Sequence, residues 1–77
     1  LGQADDAIAS AERALAIDPA HRGALNNLGA ILKEARRFDE AEATYRRALT
    51  LAPHDPTLLT NLASVFERRG DYTTMQA

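Results

Sequence analysis

Two histidines and two pairs of adjacent carboxylates are the side chains here that could move protons or hold a metal: His21, His54, Asp5-Asp6 and Asp39-Glu40. General acid–base catalysis needs such a group within reach of a reacting atom, and covalent catalysis needs a nucleophile beside its base. Neither histidine has a plausible nucleophile next to it, and both fall in proline-broken stretches between helices. The carboxylate pairs sit where helices begin, and there their chemistry is with the positive end of the helix dipole. With no Cys there is no thiolate nucleophile, disulfide or Cys-based zinc site. No glycine-rich phosphate loop or catalytic motif occurs either. The chain is therefore expected to be non-catalytic, with no metal and no cofactor.

A different chemistry is open to Asn27 and Asn61. Asparagine is a poor interior helix former, so its placement at a fixed offset asks for a reason. A side-chain amide offers two donors and an acceptor, and a ladder of amides can hold a peptide backbone without reading its side chains. The offset between them is thirty-four residues, and it relates much of the chain. It carries Asp5 onto Asp39, Ala7 onto Ala41, Arg13 onto Arg47, Ala14-Leu15 onto Ala48-Leu49 and Pro19 onto Pro53. Further on it carries Leu25 onto Leu59, Leu28 onto Leu62, Ile31 onto Val65, Leu32 onto Phe66 and Phe38 onto Tyr72. A period of this length marks a stacked repeat array.

The elements that position these residues are helices. From Gln3 to Ile17 the apolar residues Ala4, Ala7, Ile8, Ala11, Ala14, Leu15 and Ile17 recur at three-and-four spacing. Asp18-Pro19 ends that helix, because the residue before a proline is pushed out of the helical region. The second helix is predicted over about 23–35, with Leu25, Leu28, Gly29 and Leu32 on one side. Gly29 in mid-helix costs about 1 kcal/mol relative to Ala, so a partner helix must approach closely there. A third helix is predicted over 39–51, with Ala41, Tyr45, Ala48 and Leu49 inward and Phe38 as a plug just before it. The fourth should be capped by Asp55, begin at Pro56, carry Leu59, Leu62, Val65 and Phe66, and stop at Gly70. Asp71-Tyr72 should open a fifth. Nothing reads as strand, and the short connections make consecutive helices antiparallel neighbours.

Seventy-seven residues make at most one small domain. The chain starts at Leu1 without an initiator Met and ends inside a predicted helix, so it reads as a piece of a longer protein. Its open ends should self-associate, by end-to-end stacking or by exchange of a terminal helix. Net charge is −2, and the pairs Arg36-Arg37, Arg46-Arg47 and Arg68-Arg69 are offset by nearby acids. This balance points away from nucleic acid and from an anionic membrane surface. No apolar run nears the roughly 20 residues that span a bilayer. Without Cys, a reducing cytoplasm is the expected compartment.

Laid on this period, the residues resemble the tetratricopeptide repeat, a helix-turn-helix unit of the same length. The helix A pattern of that family appears as Leu25, Leu28-Gly29 and Leu32, and its helix B pattern as Ala41, Tyr45, Ala48-Leu49 and Pro53. The next unit supplies Leu59, Leu62-Ala63, Phe66, Gly70 and Tyr72, and the preceding half unit Gly2, Ala7, Ala14-Leu15 and Pro19. The resemblance implies an all-α fold of antiparallel helix-turn-helix repeats stacked as a right-handed α-solenoid. Residues 1–21 would be the second half of one repeat, 22–55 a complete one, and 56–77 helix A and the start of helix B of a third. It also implies a protein-interaction scaffold whose stacked A helices line a concave groove for a protein or extended peptide. The groove residues so implied are Asn26, Asn27, Ala30, Lys33, Thr60, Asn61, Ser64 and Glu67.

Two departures from the family bear on stability, and one on specificity. Leu25 and Leu59 stand where the family often has Trp, one apolar plug for another. Arg36 stands at the turn position of Gly2 and Gly70, where a left-handed backbone should strain it. Repeats that clamp a C-terminal carboxylate have basic residues where this chain has Thr57 and Asn61, which argues against such a clamp. Asn27-Leu28-Gly29 and Asn61-Leu62-Ala63 are similar to the arrays preceding the catalytic part of O-linked N-acetylglucosamine transferases. An arm that presents protein substrate to a glycosyltransferase domain is accordingly the alternative expectation.

Overall fold

In a computed structural model, which describes residues 3–70, the elements are four helices: α1 Gln3–Ile17, α2 Arg22–Glu34, α3 Phe38–Leu51 and α4 Pro56–Arg69. The helices predicted from the period lie within one residue of these. The fifth helix expected at Asp71-Tyr72, and the turn expected at Gly2, fall outside the described residues.

Each helix start is stabilised differently. Asp5 and Asp6 lie in the first turn of α1, as their charge favours. At α2 the cap is His21, whose Nδ1 accepts the Ala24 N–H at 3.0 Å. Nothing in the residue type announces that role, because His is no usual capping residue. Before α3, Arg37 makes no side-chain cap bond and instead donates twice to the Glu40 carboxylate, at 2.7 and 2.8 Å. At α4, Asp55 Oδ1 accepts the N–H groups of Thr57 at 2.9 Å and Leu58 at 3.3 Å, with Pro56 opening the helix as its type and position imply. Asp55 also faces Arg22 at 3.6 Å across the start of α2. Asp55→Ala should therefore cost about 1 kcal/mol and lower the melting temperature by about 4–8 °C. A thermal melt followed by circular dichroism, with no change in midpoint, would show that the cap contributes nothing.

The turn between α2 and α3 is the predicted left-handed one. Arg36 has φ 64°, in the same register as Gly70 at φ 82°. The Arg36 N–H donates to the Lys33 carbonyl at 3.0 Å and the Arg37 N–H to the Leu32 carbonyl at 2.9 Å. This interlocked pair of bonds satisfies the last carbonyls of α2 and requires the left-handed residue between them.

The core runs along the helix seams. It comprises Ile8 and Leu15 of α1, Ala24, Leu25, Leu28 and Leu32 of α2, Ala41, Tyr45 and Ala48 of α3, and Leu58 and Val65 of α4. Tyr45 is fully buried and its ring lies flat on Gly29. A Cβ at Gly29 would stand 2.6 Å from that ring, so the small residue is there for Tyr45. The Tyr45 hydroxyl is buried without a hydrogen-bond partner among the described residues, and burial first, then the Glu34 charge, pushes its pKa up.

Two apolar residues expected inside are not. Leu59 is 47% exposed, and its neighbour Leu58 is the buried one, at 1%. The period matches Leu59 to buried Leu25, but that face of α4 has no helix against it among the described residues. Leu58 gives no signal in the period because the equivalent residue, Ala24, is small. Ile17, at the end of α1, is 87% exposed, because two positions after buried Leu15 it lies on the opposite side of the helix from α2.

Consecutive helices pack on one another, and α2 and α4, two apart in sequence, also touch, though far less closely. The result is an all-α helical repeat solenoid. No helix among the described residues is long and apolar enough to cross a membrane.

Candidate partner-binding groove

The equivalent helices α2 and α4 lie side by side, and three polar contacts join them along their length. Near their N-terminal ends the Asn61 amide donates to Asn26 Oδ1 at 2.7 Å. Further along, Lys33 Nζ donates to Ser64 Oγ at 3.2 Å. Beyond that, the Arg68 guanidinium donates to the Glu34 carboxylate at 3.0 and 3.4 Å. The spacing is helical, since Asn26, Lys33 and Glu34 share one side of α2 while Asn61, Ser64 and Arg68 share one side of α4.

Four of the eight residues expected in the groove, Asn26, Lys33, Asn61 and Ser64, are thus joined pairwise across the helix seam. Ala30 is half-buried between them in sequence, and Thr60 and Glu67 are exposed on α4. Asn27 lies elsewhere. It is exposed and lines a second groove, between α1 and α2, with Ala7, Ala11, Ala14, Ala24 and Ile31. The two same-register asparagines therefore do not meet. Asn61 reaches back to the residue before Asn27, because successive A helices are displaced by a whole repeat and a partial turn. Contacts between repeats need not keep the register: Asn26–Asn61 lies one residue off the period and Lys33–Ser64 three, whereas Glu34–Arg68 keeps it.

The charges of the strip cancel locally. Glu34 titrates below the usual carboxylate range, first through the hydrogen bonds from Arg68 and then through its charge. Glu34 and Arg68 are both well exposed, so the pair orients side chains more than it stabilises the fold. Arg46 and Arg69 pair on the other faces. Arg46 holds Glu42 at 2.8 Å, and Arg69 reaches Asp39 and Glu42, each at 3.1 Å, with its guanidinium over the Phe66 ring. They form the solvated, offset pattern that their sequence neighbours implied. Among the described residues no group of three or more His, Cys, Asp or Glu side chains is placed to hold a metal ion.

What the strip offers chemically is partly spent hydrogen-bonding capacity. The Asn26–Asn61 bond uses one donor of Asn61 and one acceptor position of Asn26. The Asn26 amide N–H groups and the Asn61 carbonyl have no partner among the described residues. Together they present a donor and an acceptor at adjoining points, the complement of a peptide unit.

Comparison with known proteins agrees with this architecture. The family profile of the tetratricopeptide repeat matches residues 1–56 and again residues 31–74. Cellulose synthase operon protein C of Pseudomonas fluorescens (strain SBW25) is 38% identical over 68 residues. That match takes in 88% of this chain and 5% of the Pseudomonas protein, so the chain spans a small part of the relative's length. The thirty-four-residue period, the Tyr45-on-Gly29 packing and the profile match concur: this chain belongs to the tetratricopeptide repeat family.

Proposed function

We propose that the chain is a non-catalytic interaction scaffold that holds an extended peptide or a protein segment along the strip formed by α2 and α4. Residues 22–55 act as the complete unit, flanked by the partial units 1–21 and 56–77. The observation that carries the reading is the Asn26–Asn61 pair, whose unused amide N–H and carbonyl lie between successive A helices. Lys33, Ser64, Glu67 and Thr60 extend the polar surface on either side, with Ala30 leaving room for the ligand backbone. Asn27 is assigned to the α1–α2 groove and not to this strip.

Extended peptides selected from a randomised display library against the immobilised chain test the assignment. Each peptide–amide hydrogen bond is worth about 1 kcal/mol, so Asn26→Ala or Asn61→Ala should weaken a selected peptide about fivefold. Arg46→Ala on α3 should leave its affinity unchanged, and all three variants should keep their helicity. Peptides that bind equally to the asparagine variants would place the binding surface elsewhere.

A second reading rests on the Pseudomonas relative, which is by name a product of a cellulose synthase operon. On that reading the chain is a repeat segment of a protein that works beside a polysaccharide synthase. The transferase-arm reading instead requires a glycosyltransferase domain in the same polypeptide. Sequencing the gene outward in both directions separates them: a fused glycosyltransferase domain supports the arm, and an adjacent cellulose synthase gene supports the operon reading.

A further inference from the structure

The strip between α2 and α4 carries its charges as neighbours of opposite sign. At one end Arg22 faces Asp55 at 3.6 Å, and at the other Arg68 faces Glu34 at 3.0 Å. Lys33 stands beside Glu34 in sequence and Glu67 beside Arg68, so cations and anions balance along the strip. Between the ends, the groups on offer are the amides of Asn26 and Asn61 and the hydroxyl of Ser64. We propose that the segment held here is an uncharged extended peptide of short side chains, such as Ser, Thr, Asn, Gly and Ala, gripped by its backbone. The proposal rests on the groove reading and names the class of its ligand.

Charge on the ligand gains nothing from such a surface. A carboxylate approaching Arg22 or Arg68 would meet Asp55 or Glu34 held against the same cation, and an ammonium would meet the reverse. Attraction to one member of a pair is offset by repulsion from the other, while the ligand charge still loses water. An uncharged backbone meets no such penalty, and its N–H and C=O groups match the unused amide groups of Asn26 and Asn61.

Large apolar side chains find no anchor either. The exposed large apolar residues among the described ones are Ile17 on α1, Leu51 on α3 and Leu59 on α4. Leu59 precedes Asn61 by two positions, about 200° round the helix, and so lies off the strip. The hollow at the Asn26 end is lined by Arg22, Gly23, Asn26, Asp55 and Thr57, and its one large apolar wall is buried Leu58. It suits a short polar side chain. A neutral oligosaccharide is the rival ligand, since its hydroxyls could also use the amides. Sugar rings, however, lay their apolar faces on aromatic rings, and the strip presents none among the described residues. Tyr45 is fully buried, Phe38 packs against the core, and the Phe66 ring lies under the Arg69 guanidinium.

A randomised peptide library selected on the immobilised full chain, once in low salt and once in high salt, tests the class. Sequences poor in charged and large apolar residues should emerge under both conditions. A synthetic peptide of that composition should bind with an affinity that salt changes by less than about twofold. Replacing a central residue of it by Glu or Lys should weaken binding about threefold or more. Glu34→Gln leaves the Arg68 charge unbalanced, so the Glu-containing peptide should then regain about threefold in low salt and lose that gain in high salt. Glu34 is well exposed, so this variant should keep its helicity. An acidic or basic consensus that high salt abolishes would overturn the proposal, as would a consensus built on Leu, Phe or Trp. So would displacement of the peptide by a linear neutral glucan such as cellohexaose. If binding in those cases still depends on Asn26 and Asn61, the groove reading stands while the ligand class falls. Peptides indifferent to Asn26→Ala and Asn61→Ala, or no selected peptide at all, would overturn both.

Discussion

Tyr45→Ala should lower the melting temperature by about 12–24 °C, from a loss of about 3 kcal/mol. Truncating a buried aromatic costs about 3–5 kcal/mol, and the lower end applies here because the Tyr45 hydroxyl is buried without a partner among the described residues. An unpaired buried hydroxyl already costs the native state about 1–3 kcal/mol. Tyr45→Phe removes that penalty and should be at least as stable as the parent. The ring's partner gives the sharper test. Gly29→Ala would gain about 1 kcal/mol of helix propensity in an open site. Against the ring, its Cβ would lie 2.6 Å away with no room for the ring to retreat, since Tyr45 is fully buried. Overpacking of that kind costs about 1–3 kcal/mol, so Gly29→Ala should destabilise the parent. In the Tyr45→Ala background the same change should stabilise. The coupling between the two sites should be about 2 kcal/mol. Urea melts of the four proteins would measure it, and Gly29→Ala stabilising in both backgrounds would refute the packing argument.

Arg36→Gly should move stability the other way, raising the melting temperature by about 4–8 °C. A left-handed non-glycine residue carries about 1–2 kcal/mol of strain. Part of the relief is lost to the greater freedom of glycine in the unfolded chain. A net gain of about 1 kcal/mol remains. The Arg36 side chain makes no ion pair among the described residues, so nothing visible offsets the gain. A fall in midpoint would show that its guanidinium makes a contact which the backbone argument ignores.

Both sites are legible in the sequence for the same reason. A repeat poses each structural problem more than once, so Arg36 stands out against Gly70, and Gly29 against Ala63. The helix ends at Asp18-Pro19, Ala52-Pro53 and Asp55-Pro56 are legible because proline and capping chemistry act locally. Less is legible wherever the answer depends on what lies next to a residue. Leu25 and Leu59 are equivalent by type and register, yet one is in the core and the other half in solvent. The His21 cap uses a side chain with weak capping preference, and only the backbone geometry reveals it. For the groove, the residue pattern marks Asn27 and Asn61 as equivalent rungs but not that Asn61 bonds to Asn26. Asn61 pairs with Asn26 because contacts between repeats depend on the angle between helices, which no periodicity encodes.

The α2–α4 seam also has a mechanical consequence. α3 grips α2 and α4 through buried residues, whereas α2 and α4 meet mainly through the tips of Asn, Lys, Ser, Glu and Arg side chains. Such tips are long, hydrated and rotatable, and a shift of an ångström or two costs them little. The described helices should therefore be stiff where α3 clasps α2 and α4 and compliant between the α2 and α4 blades. A ligand laid across the blades would set their spacing, and one bridging both would shift the pitch of every turn in a longer array.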